Sequence, residues 1–140
     1  MRTIGLSICL AACGLFAQAA PPQTPVQAIA ELAADLSQGD VSSAIAAFDS
    51  HMAEFNTIRA YLDALVAQTE ISCAIEVVSD EETNGVHRLD LDWLMSLKTP
   101  EANAQERRRE RVQVEMRQVK GRWVIAAFSP ISVVSPIRVQ

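Results

Sequence analysis

From Arg107 to Pro130 apolar and polar residues alternate with a period of two. Val112, Val114 and Met116 interleave with Arg111, Gln113, Glu115 and Arg117, and after Gly121 the pattern resumes at Trp123, Ile125 and Ala127. Such a period belongs to a strand with one dry face. With Lys120 and Gly121 as a two-residue turn, Met116 falls opposite Ile125, Val114 opposite Ala127 and Gln118 opposite Trp123. In that register Val124, Ala126 and Phe128 point away from the core as an apolar strip.

Two further strands precede this hairpin. Ile71, Cys73, Ile75 and Val77 alternate through one, and Leu89, Leu91, Trp93, Met95 and Leu97 through the next. Asn84-Gly85 is a strong tight-turn signal between them. A strict two-residue loop would oppose the two apolar faces, so a bulge or a longer loop must intervene. Pairing Leu91 with Val112 aligns the dry faces and sets Asp92 against Arg111 and Arg88 against Glu115, opposite charges across the ladder. The N-terminal half reads as helical. Thr24, Pro25 and Gln27 form a capping box ahead of Val26, Ile29, Leu32, Ala33 and Leu36. Gly39 ends that helix, Asp40 caps a second carrying Val41, Ile45 and Phe48, and a third runs from about Asn56 to Gln68.

The first nineteen residues read as an export leader, with Met1 and Arg2 before an apolar run and Ala17-Gln18-Ala19 as the cleavage site. A competing reading takes Leu10-Ala11-Ala12-Cys13 as a lipobox with Cys13 acylated. The first is preferred because few residues precede Cys13. The apolar run is too short for a transmembrane helix, which needs roughly 20 residues. The expected division is therefore a leader at 1–19, a linker at 20–24 and one domain at 25–140, in a periplasmic or extracellular protein. The mature chain retains Cys73 alone, so it has no intrachain disulfide, and that thiol reads as buried and inert.

Residues 20–99 hold thirteen acidic and three basic side chains, and residues 100–140 four acidic and eight basic. The net charge of −5 disfavours nucleic acid as a partner. Arg107, Arg108, Arg109 and Arg111 divide between two strand faces and so do not form a phosphate stripe. His51 and His87 lack ligand spacing, and neither a metal nor a cofactor is expected. Asp49, His51 and Tyr61 are the one candidate acid-base set, suited to proton abstraction beside a carbonyl. Set against that, Asp49 also suits a cap and His51 a solvated joint. Phe48, Phe55, Trp93, Met95 and Trp123 converge on the concave side, lining a pocket or filling it. Arg108 and Glu110 share that face near the strand's start and would mark the mouth.

Leu36-Ser37-Gln38-Gly39-Asp40, Ala44-Ile45-Ala46-Ala47-Phe48 and Gly121-Arg122-Trp123-Val124-Ile125 give the chain a pattern that resembles the nuclear transport factor 2-like superfamily, which includes ketosteroid-isomerase-like and polyketide-cyclase-like proteins. Met52, Phe55, Gln68, Asp92-Trp93-Leu94 and Arg107-Arg108 further resemble exported bacterial members without an assigned activity. The resemblance implies an α+β cone, three N-terminal helices packed on a curved four-stranded antiparallel sheet, with sheet-mediated homodimers common. Enzymes of this superfamily usually carry a strand and longer loop after the second helix, and the joint from Asp49 to Phe55 leaves little room for it. The expectation is thus a non-catalytic domain that self-associates through Val124, Ala126 and Phe128 or binds a small apolar ligand or protein partner. The alternative is an isomerase- or cyclase-like enzyme. Residues 131–139 offer a local alternative for the strip, folding back over it or over an open edge.

Overall fold

The computed structural model describes residues 23–138. The expected leader with its cleavage site, the expected linker before Gln23, and Cys13 lie outside the described residues. α1 (Pro25–Ser37) starts at the expected capping box, with the Gln27 amide donating to the Thr24 hydroxyl at 3.1 Å and the Thr24 amide to the Gln27 side chain at 3.0 Å. α2 (Val41–Ala46) is capped by Asp40, which accepts from the Ser43 amide and hydroxyl. It ends before Phe48, which instead makes a parallel bridge to Ile125. The short joint therefore does supply a strand-like contact, one residue long. α3 (Phe55–Gln68) follows.

β1 (Glu70–Thr83), β2 (Val86–Thr99), β3 (Ala104–Val119) and β4 (Arg122–Ser129) form one antiparallel sheet in that order. Leu91 pairs with Val112, Asp92 with Arg111 and Arg88 with Glu115, as the charge pattern requires. Both hairpins turn on two residues with positive φ, Asn84-Gly85 at 53° and 80° and Lys120-Gly121 at 52° and 77°. Turns of this hand match the twist of the flanking strands, and glycine adopts such a φ without strain. The conflict between the Asn84-Gly85 turn and the apolar phase is resolved by a bulge at Val78, which brings Ile75 opposite Trp93 and Val77 opposite Leu91.

A second bulge corrects the hairpin reading. Met116 pairs with Ile125 and Gln118 with Trp123, but an extra residue at Ala126 sets Glu115 against Ala127 and Val114 against Phe128. Every side chain beyond the bulge changes face. Phe128 therefore points inward and is 5% exposed, and the apolar outer strip loses its largest member.

The core lies between the helices and the sheet's inner face. Ile29, Leu32, Leu36, Ile58, Leu62 and Leu65 meet Leu89, Leu91, Trp93, Met95, Leu97 and Met116, all essentially buried. After a cis Ser129–Pro130 bond the chain folds back as a 3-10 turn, Ile131–Val134, packed between α3 and β3 with Val133 and Val134 buried. Fold-back of this segment was the local alternative for the apolar strip. It closes the end of the cone and leaves the outer face uncovered.

Candidate functional site

Asp49 follows the bridge residue Phe48, and its amide donates to the Ile125 carbonyl at 2.8 Å. One carboxylate oxygen accepts from the His51 amide at 2.9 Å, and the other is paired with the Arg117 guanidinium. The His51 backbone bond and then the Arg117 contact hold the carboxyl below the usual carboxylate range. A carboxylate stabilised in its charged form is a poor base. The His51 ring is 89% exposed, with Nδ1 3.4 Å from Asp49. Tyr61 is half-buried in α3, and among the described residues no hydrogen bond joins it to either. The sequence-level acid-base set is thus not assembled in an enclosed space. Asp49 ties the α2–α3 joint to the sheet.

Removing Asp49 leaves the His51 amide and Arg117 without their acceptor, and Asp49→Ala is expected to destabilise the domain by about 1–3 kcal/mol. Because folding depresses this pKa, the contribution is complete above the unfolded value, about 4, and is lost as pH falls through the folded value. Calorimetry should therefore show a constant Tm gap between wild type and variant from pH 7 to 5, shrinking below about pH 4. A gap that widens in acid contradicts this role.

The aromatic residues of the concave side, which the sequence leaves as pocket lining or as filling, pack together as core. The Phe48 and Phe128 rings meet edge-to-face at 5.5 Å between centroids, and Trp93 and Phe128 at 5.4 Å. Trp93 and Met95 are fully buried, and Phe55 packs against the same cluster. Among the described residues Trp93 Nε1 has no hydrogen-bond partner. At the expected mouth Arg108 turns inward and donates to the carbonyls of Val133 at 3.0 Å and Ser135 at 2.5 Å, besides pairing with Glu106 at 3.1 Å. The Ile137 amide donates to Gln68 at 2.9 Å. The inward charge is thereby tied to the chain's own C-terminal segment. Glu110 stays exposed beside it.

Trp123 lies at the other end of the inner face, edge-on to His87 at 4.8 Å. His87 Nδ1 is 2.7 Å from the Asp80 carboxylate. Sequence reasoning missed this pair because Asp80 faces inward only once the Val78 bulge is placed. Burial pushes the Cys73 thiol up to about 12, consistent with an inert sulfhydryl. Among the described residues no group of three His, Cys, Asp or Glu could hold a metal ion, and no helix is long and apolar enough to cross a membrane.

The outer face of the sheet is mostly charged. Arg109 binds Asp92 at 2.9 Å and Arg88 binds Glu115 at 3.1 Å. Val124 is buried and Ala126 half-buried, while Leu94 is exposed on this face at 37% and Val78 is exposed at the β1 bulge. An open groove of about 530 Å³ runs beside the two bulges, lined by Ser79, Arg88, Asp90, Gln113 and Ala127.

No protein-family model and no curated protein matches the sequence. Solved structures match the architecture. Aln2 from a Streptomyces species aligns with a TM-score of 0.61 at 13% identity, over 77% of this chain and 91% of that one. A nuclear transport factor 2-like superfamily protein from Salmonella enterica serovar Typhimurium gives 0.59 at 9% identity, over 81% and 89%. A Xanthomonas campestris protein described as a candidate calcium/calmodulin dependent protein kinase II association domain gives 0.56 at 11% identity, over 79% and 89%. With three helices on a four-stranded antiparallel sheet, and these structures as its likenesses, the chain has the nuclear transport factor 2-like fold.

Proposed function

We propose that the chain is a non-catalytic association domain of an exported protein, which engages a protein partner on its outer surface and takes no small molecule into the cone. The observation that carries this is the filled interior. Phe48, Trp93 and Phe128 stack where a ligand would sit, and Val133 and Val134 close the opening beside Arg108. Small domains close-pack unless a ligand site is held open, and here nothing holds it open. Asp49 supports the same reading, since its carboxylate is committed to Arg117 and to a backbone amide. The likeness to a Xanthomonas protein described as a candidate association domain is a precedent for assembly on this fold. The leader at 1–19 supports export.

The test is titration of the mature chain with an apolar fluorescent dye such as anilinonaphthalene sulfonate, with thermal melts alongside. A filled cone gives no dye enhancement in the native state and no rise in Tm. Stoichiometric uptake with a raised Tm would show a hollow interior and overturn the proposal. Light scattering decides whether a second copy is the partner. The outer strip, reduced to Leu94, Val124 and the alanines beside it, is small for a stable homodimer, so a monomer is expected at micromolar concentration.

A further inference from the structure

β3 is longer than the strand that covers it. β2 pairs with it from Ala104 to Met116, but β4 pairs with it only from Gln113 to Val119. Residues 104–112 thus have no strand on their second edge among the described residues, and none of the turn and loop backbone hydrogen bonds reaches it. Ala104 to Arg111 is solvent-exposed apart from half-buried Arg108. The C-terminal segment, which passes nearby, is held through the Arg108 side chain rather than through this backbone.

An open edge is a template for another strand, and its side chains decide which strand is accepted. On the outer face the edge carries Arg107, Arg109 and Arg111 at alternate positions. Arg109 is tied sideways to Asp92, whereas Arg107 and Arg111 form no salt bridge among the described residues. Two copies joining at this edge about a two-fold axis, outer face to outer face, set arginine opposite arginine wherever the overlap exceeds a few residues. Like charges directly opposed across a ladder are destabilising. The pattern disfavours self-pairing and suits a strand with carboxylates at every second position.

We propose that the free edge of β3 from Gln105 to Arg111 is a docking site for an extended acidic peptide segment, which adds to the sheet as a further strand. The site rests on the reading of the chain as a partner-binding domain and names the chemistry of the partner. Backbone hydrogen bonds supply the hold, and Arg107 and Arg111 select carboxylates on the outer side. Because the arginines are exposed, affinity falls with salt.

The probe is a capped nonapeptide alternating glutamate with valine and threonine, labelled for anisotropy and titrated against the full mature chain. Controls replace glutamate by lysine, or N-methylate alternate amides while keeping the charges. The glutamate peptide is expected to bind and to slow amide exchange within 105–111. The lysine peptide should not bind, and the N-methylated one should bind at least tenfold more weakly. The double variant Arg107→Gln, Arg111→Gln, which sets no carboxylate opposite Asp92, should lose at least tenfold while remaining folded. Absence of binding, equal affinity of the N-methylated peptide, or protection elsewhere in the chain would overturn the site. Edge-to-edge oligomers of the unliganded chain would also overturn it, with a second copy as the occupant. Dye uptake into the cone would instead overturn the underlying reading, so the two failures are distinguishable.

Discussion

Trp93→Ala is expected to cost about 3–5 kcal/mol, a large share of the roughly 5–15 kcal/mol that holds a domain of this size together. Trp93 is fully buried on β2 and meets the Phe128 ring, which in turn meets Phe48, so truncation leaves a void that three elements would have to collapse to fill. The Tm should fall by about 15 °C. Trp93→Phe is the informative partner. Its ring keeps most of the contact, and it removes an indole N–H that has no acceptor among the described residues, a group whose burial costs about 1–3 kcal/mol. The phenylalanine variant should therefore lose less than about 1.5 kcal/mol in urea unfolding. Equal losses for the two variants would mean that the indole nitrogen has a partner in solution.

Phe128→Asp should abolish folding at 37 °C. An unbulged hairpin would place residue 128 on the outer face, where a carboxylate is harmless. The bulge at Ala126 turns it into the aromatic stack, where substitution removes the ring and buries a charge with no counter-ion. The combined cost exceeds about 5 kcal/mol. The complementary variant is Ala127→Lys. Ala127 lies opposite Glu115 on the outer face, so lysine should be tolerated within about 0.5 kcal/mol. An unbulged register demands the reverse, Phe128→Asp folded and Ala127→Lys unfolded. The soluble yield of the two proteins separates the cases before any spectroscopy.

The two bulges show where the sequence was legible. The one at Val78 follows from two strong signals in conflict, since Asn84-Gly85 demands a tight turn while Ile75 and Val77 must face the side of Trp93 and Leu91. The one at Ala126 leaves no such conflict. Ala126, Ala127 and Phe128 are all apolar, so an alternation slipped by one residue still reads as plausible, and the error passed to Phe128. The β2–β3 register was legible because charge and hydrophobicity agreed on Leu91 with Val112. The cap at Thr24 and the turn at Lys120-Gly121 were legible because both are local.

The candidate site was less legible, because it depends on long-range partners. Asp49 and His51 look like an acid-base pair until Arg117, distant in sequence, claims the carboxylate and the histidine ring turns to solvent. Parity puts Arg108 on the inner face, but nothing local shows that Val133 and Ser135 would bring their carbonyls to it. His87 joins Asp80 and Trp123 only through the Val78 bulge. The unpaired edge of β3 arises from unequal strand lengths, which period-two patterns do not bound well.

A filled cone is the claim on which a surface role depends. Aromatic NOESY of the mature chain tests it most directly. The expected spectrum has strong cross-peaks linking the Trp93 indole to the Phe128 ring and the Phe128 ring to Phe48, with the Trp93 Nε1 proton protected from exchange. Missing cross-peaks, together with a rapidly exchanging Trp93 indole proton, would contradict it and place an open pocket at the centre of the domain.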